Sequence, residues 1–353
     1  MNAKNWRETS AKGVVVAKPV YAAQIALYQA YMEGAVPGIS ANPALFTAIN
    51  EEDELAAFLQ AAKKDLPDVN VEVLRLSTGD LHARMLAESS NPKHDVIWGW
   101  AVTSMVDPRI TAMLEPYEPE GIEKVPARFR DDENKWFATT GYMGAFCVNK
   151  EAMERHGLPE ISSWQDLTKP EFEGRVVMPN PASSGTGYLH IASILQMMGE
   201  EAGWEYLEAL DKNIAQYIKS GSRPCTAAST GEYAVGISFE LRAIKDIAEG
   251  YPIAMVLPSE GAGHELEASG LMATSTNKED AKKFLDWLVS PAAVQAYYDW
   301  KGIVTVPGGS MPDNMREAGL PEDISTVLYE VDYAWAAENR GRILEEWQRR
   351  FER

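Results

Sequence analysis

From Pro43 onward, apolar residues recur with two different periods. Val69-Asn-Val-Glu-Val-Leu-Arg-Leu76 alternates apolar and polar, which predicts a half-buried strand. Between Glu51 and Lys64 the apolar positions are Leu55, Phe58, Leu59 and Ala62, the spacing of one helix face. Ala44 to Ala48 is a short buried-strand candidate. Ser77-Thr78-Gly79-Asp80 opens a helix that runs to Glu88, and Asp95-Val-Ile-Trp98-Gly is a strand ending in a turn. A second series repeats the order with different residues. Gly144 to Val148 is apolar, Ser163 to Leu167 begins a helix, and Arg175-Val-Val-Met-Pro179 is a strand. Helices follow from Tyr188 to Met198 and from about Glu201 to Asn213. Then come the strand Tyr233 to Phe239 and a helix from Ala243 to Glu249. No unit recurs at a period of about 20–50 residues, so the chain is no solenoid. Strand–helix alternation predicts an α/β fold with a mostly parallel sheet. Two such series predict two lobes, with ligands at the carboxyl ends of the strands.

Composition narrows the function. The chain has 353 residues, enough for about two domains. Its formal charge is −19. Nucleic-acid binding requires Lys and Arg to displace counterions, so a nucleic-acid partner is excluded. The same charge repels free anions at long range, so an anion site must work through close hydrogen bonds rather than steering. No run of about 18 apolar residues is present, and membrane insertion is not expected. Residues 1–42 carry Lys4 and Arg7, then an apolar stretch interrupted by Lys18, Pro19 and Gln24. They are read as an N-terminal extension or a degenerate signal. Only Cys147 and Cys225 are present, and no C-x-x-C occurs, so zinc chemistry has no anchor. The two are either free core thiols or one long-range disulfide, whose loop would contribute roughly 4 kcal/mol.

The sharpest chemical feature is Ser183-Ser184-Gly185-Thr186-Gly187, between a strand and a helix. Small residues let the backbone approach a ligand, and the first amides of a helix have no internal partners. Together with the hydroxyls they can hold a phosphate, phosphonate or carboxylate. Ser77-Thr78-Gly79 repeats the arrangement in the earlier series. Glu240 and Arg242 stand at the carboxyl end of a strand, where open α/β sheets place ligand contacts. Trp98, Trp100, Trp136 and Tyr142 lie near turns, and an aromatic face can pack beside an ammonium group. Catalytic motifs are missing: there is no Walker lysine, no G-x-S-x-G, and His264-Glu265 lacks a second histidine. His190, inside an apolar helix, is a core histidine. No enzyme is expected.

Several stretches together resemble a known family. They are Asp95-Val-Ile-Trp98-Gly, Trp164 to Pro170, Val177-Met-Pro-Asn-Pro-Ala-Ser-Ser-Gly-Thr-Gly187, Asn213 to Tyr217, Ser220 to Cys225, Gly236 to Glu240 and Ala334 to Arg340. The chain is similar to the periplasmic substrate-binding proteins of 2-aminoethylphosphonate transporters, within the ferric-ion-receptor-like group. The resemblance implies a two-lobed type II periplasmic-binding-protein fold with a hinge and an inter-lobe cleft. The first lobe would be 43–141 plus 268–353 with the C-terminal helices, and the second 142–267. Crossings are expected near Tyr142–Phe146 and Glu267–Met272. The resemblance further implies a periplasmic monomer that binds a small zwitterionic phosphonate, uses no cofactor or metal, and delivers its ligand to an ABC permease. It pairs Cys147 with Cys225. It assigns the phosphonate to Ser183, Ser184, Gly185 and Thr186 from one lobe and to Ser77, Thr78 and Gly79 from the other. Trp98 and Tyr142 are the candidate aromatic contacts, and Glu240 is the candidate partner of the ammonium. The sequence departs from the family at Thr140-Gly-Tyr142, at Leu241 and at Gly263-His-Glu265. Those departures bear on whether the ligand carries an amine. A ferric-ion receptor of the same fold is the alternative, although Phe239-Glu-Leu241 stands where that branch has paired tyrosines, and Tyr297-Tyr298 lie in a helical stretch. A phosphoryl-handling enzyme is the other.

Overall fold

The expected strand–helix alternation is present in the computed structural model of the chain, which describes residues 44–47 and 52–351. The N-terminal extension or signal expected at 1–42 lies outside the described residues. The first elements are β1 (Ala44–Thr47), α1 (Glu52–Asp65), β2 (Glu72–Arg75), α2 (Thr78–Ala87) and β3 (Val96–Ala101). β1 pairs in parallel with both β2 and β3, as strands joined through crossover helices do. β4 (Leu114–Glu115) and β5 (Phe137–Asn149) come next, then β6 (Val176–Pro179), α3 (Gly185–Met198), α4 (Glu200–Asp211) and β7 (Ile214–Ile218). The chain continues through α5 (Arg223–Ser229), β8 (Val235–Phe239), α6 (Glu240–Ala248), β9 (Ile253–Val256) and β10 (His264–Met272). It closes with α7 (Lys278–Leu288), α8 (Pro291–Trp300), β11 (Ile303–Val304) and α9 (Tyr333–Phe351).

The strands lie in the order β2-β1-β3-β10-β5-β8-β6-β7, with β4 on β10 and β9 and β11 on β5. The sheet is mixed rather than mostly parallel as expected, because β10 and β5 run antiparallel to their neighbours. β5 organises this arrangement. All 13 of its residues are buried, because it serves two neighbourhoods and each covers both of its faces. Phe137 to Met143 pair antiparallel with β10, whereas Gly144 to Val148 pair antiparallel with β8. The partner changes between Met143 and Gly144. The chain returns to the first neighbourhood between Val256 and His264.

Separate apolar cores sit on the two sides. Phe58, Trp98, Phe284 and Tyr297 pack behind β1 and β3, and Trp164, Tyr188, Leu207 and Ile237 pack around β6 and β8. The C-terminal helix departs from expectation. It was expected with the first lobe, yet Ala336, Ile343, Trp347 and Phe351 join the core around β6 and β8. These four form one helical stripe, and the surface that matches it lies on that side. Trp347 meets Tyr217 edge-on at 5.1 Å, and Arg342 grips Glu200 through bonds of 2.8 and 2.7 Å. The expected helix at Ser163–Leu167 is only a 3₁₀ turn, Gln165–Thr168, because Pro170 bars the helical region to Lys169, whose ψ is 137°. Cys147 and Cys225 form a disulfide that ties β5 to α5.

Candidate functional site

Three loops follow the carboxyl ends of three strands and meet. After β2, Ser77 caps α2 with extended backbone, and its hydroxyl donates to Asp80 at 2.8 Å. After β6, Ser184 caps α3, and its Oγ accepts the Gly187 amide at 3.2 Å. That bond uses an oxygen lone pair and leaves the Ser184 proton available to an acceptor. The Gly185 and Thr186 amides occupy the first turn of α3 and have no partner within the helix. After β7, Ser220-Gly221-Ser222 lead into α5, and Gly221 is held by the Ser238 hydroxyl, which donates to its carbonyl at 2.7 Å.

Glycine is needed where the loops touch. A Cβ on Gly185 would lie 2.5 Å from Thr78 Oγ1, and one on Gly221 would lie 2.5 Å from Thr186 Oγ1. The Gly79 amide donates to the Ser183 carbonyl at 3.0 Å, so the first and second loops are bonded directly.

The loops enclose a cavity of about 140 Å³, lined by Arg75 to Thr78, Gly99, Ala101, Tyr142, Ser184 to Thr186, Ser220 to Ser222, Phe239 and Glu267. Tyr142 and Phe239 meet edge-on at 5.8 Å. The Tyr142 hydroxyl is hydrogen-bonded to Thr186, and burial, with Glu265 and Glu267 nearby, pushes its pKa well above the usual value. The phenol is therefore a neutral donor. Glu267 accepts Thr140 Oγ1 at 2.6 Å and Lys301 Nζ at 2.9 Å, and Lys301 also reaches Glu54 at 2.5 Å. Glu54 and Glu267 thus share the one buried Lys301 ammonium. Arg75, at the exposed end of β2, is the cation of the lining.

Six of the expected residues line this cavity: Ser77, Thr78, Tyr142, Ser184, Gly185 and Thr186. Four lie elsewhere. Trp98 points into the core, 2 % exposed, against Phe58 and Phe284, because alternate strand residues face opposite ways. Gly79 and Ser183 spend their backbone groups on each other, and the Ser183 hydroxyl donates to the Lys219 carbonyl at 3.1 Å. Glu240 is sealed at the start of α6. Its Oε2 accepts the Met143 amide at 2.9 Å, while Oε1 has no hydrogen-bond partner and faces Gly302. Burial pushes its carboxyl up to about 8, so it is largely protonated at neutral pH and is not placed to receive a ligand's ammonium. His190 is a core histidine. Its Nε2 lies 2.9 Å from the Ser238 carbonyl, and burial lowers its pKa to about 4.

Sequence reading missed Arg75, Gly99, Ser220 to Ser222, Phe239 and Glu267 as lining residues. Two of these carried a signal. Ser220-Gly-Ser222 is a third small polar loop after a strand, and Glu265 and Glu267 interrupt an otherwise apolar strand.

Comparison with known proteins bears on the family and the fold. The profile of a family described as bacterial extracellular solute-binding protein matches residues 93–322. A probable ABC transporter periplasmic-binding protein of Sinorhizobium fredii is 27% identical over 240 residues, 64% of each chain. The solved periplasmic binding protein AfuA of Actinobacillus pleuropneumoniae, with exogenous fructose-6-phosphate bound, is 26% identical at a TM-score of 0.81; the match covers 89% of this chain and 99% of that one. The ferric binding protein of Campylobacter jejuni shares the fold at 18% identity and a TM-score of 0.72, covering 88% and 99%. The α/β periplasmic-binding-protein fold is thereby established.

Proposed function

We propose that this chain, which belongs to the bacterial extracellular solute-binding protein family, captures a small organophosphonate or phosphate monoester and hands it to an ABC permease. The observation that carries the reading is the convergence of three Ser/Thr/Gly loops on one cavity. Ser77 lines it with its proton spent on Asp80, and Thr78, Ser184, Thr186, Ser220 and Ser222 line it beside the first turn of α3. Such donors match the several oxygens of a phosphoryl or phosphonyl group, and a helix N-terminus favours negative charge. They act at contact distance, as an anion site on a strongly acidic protein must. The similarity to a binding protein solved with a sugar phosphate supports the same class.

The remaining features fit a receptor. The first lobe would comprise β1 to β4, the leading half of β5, β10 and β11, and the second would comprise the rest of β5, β6 to β9 and α9. The hinge segments would be Met143–Gly144, 257–263 and the stretch between Val304 and Tyr333 that carries the chain back to the second lobe for α9. A disulfide suits an oxidising compartment such as the periplasm. Glu267, rather than Glu240, is the carboxylate that would face an amine or hydroxyl of 2-aminoethylphosphonate or a related ligand. A ferric site is disfavoured by its donors. Hard Fe³⁺ wants several anionic oxygens, whereas the lining holds one phenol and one carboxylate already tied to Lys301. The Tyr297 and Tyr298 hydroxyls donate to the Leu288 and Val306 carbonyls instead.

A thermal-shift and calorimetric panel tests the proposal with 2-aminoethylphosphonate, ethylphosphonate, fructose 6-phosphate, inorganic phosphate and ferric citrate. A binder at a hundredfold excess over its Kd adds about 2.7 kcal/mol to stability. One phosphorus compound should give a clear rise in Tm. A response to ferric citrate alone, or to nothing in the panel, overturns the reading.

A further inference from the structure

The third loop of the cavity, Ser220-Gly221-Ser222, is hydrogen-bonded at Gly221 by Ser238 and just before it at Lys219 by Ser183, and unlike the other two it also leads into a helix that is tethered covalently. The loops before α2 and α3 are bonded to each other through Gly79 and Ser183. The third enters α5, a helix of only 7 residues. At its far end α5 is held by Asn149, whose side-chain amide donates to the Ala228 carbonyl at 2.8 Å, and by Ser229, whose hydroxyl donates to Asp246. At its near end the tether is covalent. Cys225, three residues past Ser222, is bonded to Cys147, fully buried on β5. β5 is also the strand that carries Tyr142 into the cavity. The packing beneath is tight, since a Cβ on Gly236, the partner of Cys147 across the β5–β8 ladder, would lie 2.1 Å from the Pro224 carbonyl.

We propose that the Cys147–Cys225 disulfide is a positioning element of the binding site: it fixes the start of α5 against β5 and thereby sets Ser220 to Ser222 at contact distance from the ligand. This rests on the proposed anion site. Gly221 is the sensitive point, because its backbone passes close to Thr186 Oγ1 and Ser184 Oγ. A small outward drift of α5 therefore removes donors from one wall of the cavity while α3 stays in place.

Two double variants of the full chain test the proposal, Cys147→Ala/Cys225→Ala and Cys147→Val/Cys225→Ala, the second restoring part of the lost sulfur volume. The first readout needs no ligand. Amide hydrogen exchange at 220–226 should quicken in both variants, while exchange in α3 and α4 stays at the parent level. The second readout is the Kd for 2-aminoethylphosphonate and for fructose 6-phosphate, for whichever the parent binds. It should rise by about 2- to 10-fold, less than the loss of a whole hydrogen bond to the charged ligand, because the donors drift outward rather than disappear. Unchanged exchange at 220–226, or a variant with a lowered Tm and an unchanged Kd, overturns the positioning role. Failure of both variants to fold also overturns it, because the bond would then be a requirement of the fold as a whole. A parent that binds neither compound, with exchange still quickened in the variants, tells instead against the anion site.

Discussion

At the scale of single residues, the cavity makes its hydroxyls separable from the fold. Ser184 and Thr186 are 3 % and 4 % exposed, and both line the cavity. A hydrogen bond to a charged group contributes roughly 1.5–3 kcal/mol, so Ser184→Ala or Thr186→Val should weaken phosphorus-ligand binding by about 10- to 150-fold. Ser184→Ala should also cost about 1 kcal/mol of stability, since its Oγ is a true helix cap; Kd by calorimetry beside urea unfolding separates the two effects. Glu240 invites a different test. Its carboxyl titrates near pH 8 in the native chain, above the ordinary 4.5, because burial penalises the charged form. Between those two values the folded state keeps a proton that the unfolded state has released, so stability falls as pH rises through the window. Glu240→Gln should remove that contribution, and its Tm advantage over the parent should grow from about pH 5 to about pH 8.5. Some slope should persist, because Glu265, held near 7 by burial, acts with the same sign below neutrality. A Tm difference independent of pH would mean that the carboxyl does not titrate in that range.

Among the elements, legibility followed the range of the interactions that set them. β3, α1, α2 and α3 were readable because apolar period and capping chemistry are local: Ser77 and Ser184 stand at the two helix starts that their sequence contexts announced. The 13-residue β5 was visible only over Gly144 to Val148. Its first half, Phe-Ala-Thr-Thr-Gly-Tyr-Met, reads as polar and small, yet it is buried by β10 and β11, elements more than 100 residues away in the chain. The last helix was expected only as one of the C-terminal helices that the resemblance implies, and its docking was not legible, since an apolar stripe does not name the surface that will cover it. Trp347 carries the clearest consequence. It is 1 % exposed in the core around β6 and β8, so Trp347→Ala should destabilise by about 3–5 kcal/mol through loss of burial and the cavity left behind. Hydrogen exchange should locate the weakening in α3, α4 and β7 rather than in α1 and α7; the opposite pattern would detach α9 from that core.

For the molecule as a whole, the bond from Gly79 to Ser183 is the measure of closure, because it joins loops that follow strands on opposite sides of β5. On the proposed hinge, ligand holds this contact shut and its release parts the loops. Solution scattering should therefore show a smaller radius of gyration with saturating ligand than without, and superimposable profiles would argue against hinged capture. Legible in the residues alone were the alternation of strands and helices, the two hydroxyl-rich loops at helix starts, the lack of catalytic motifs and, through resemblance, the pairing of the two cysteines. These rest on local backbone chemistry and on motifs a few residues long. Tertiary structure alone decided which side of each strand faced the cavity. It turned Trp98 into the core while Gly99 beside it became lining, brought Ser220 to Ser222 in as a third wall, sealed Glu240 behind Met143 and put Glu267 in the lining. Each outcome depends on how distant strands pack and on how far burial shifts a carboxyl from its usual ionisation, and neither quantity is written in the residues on either side of it.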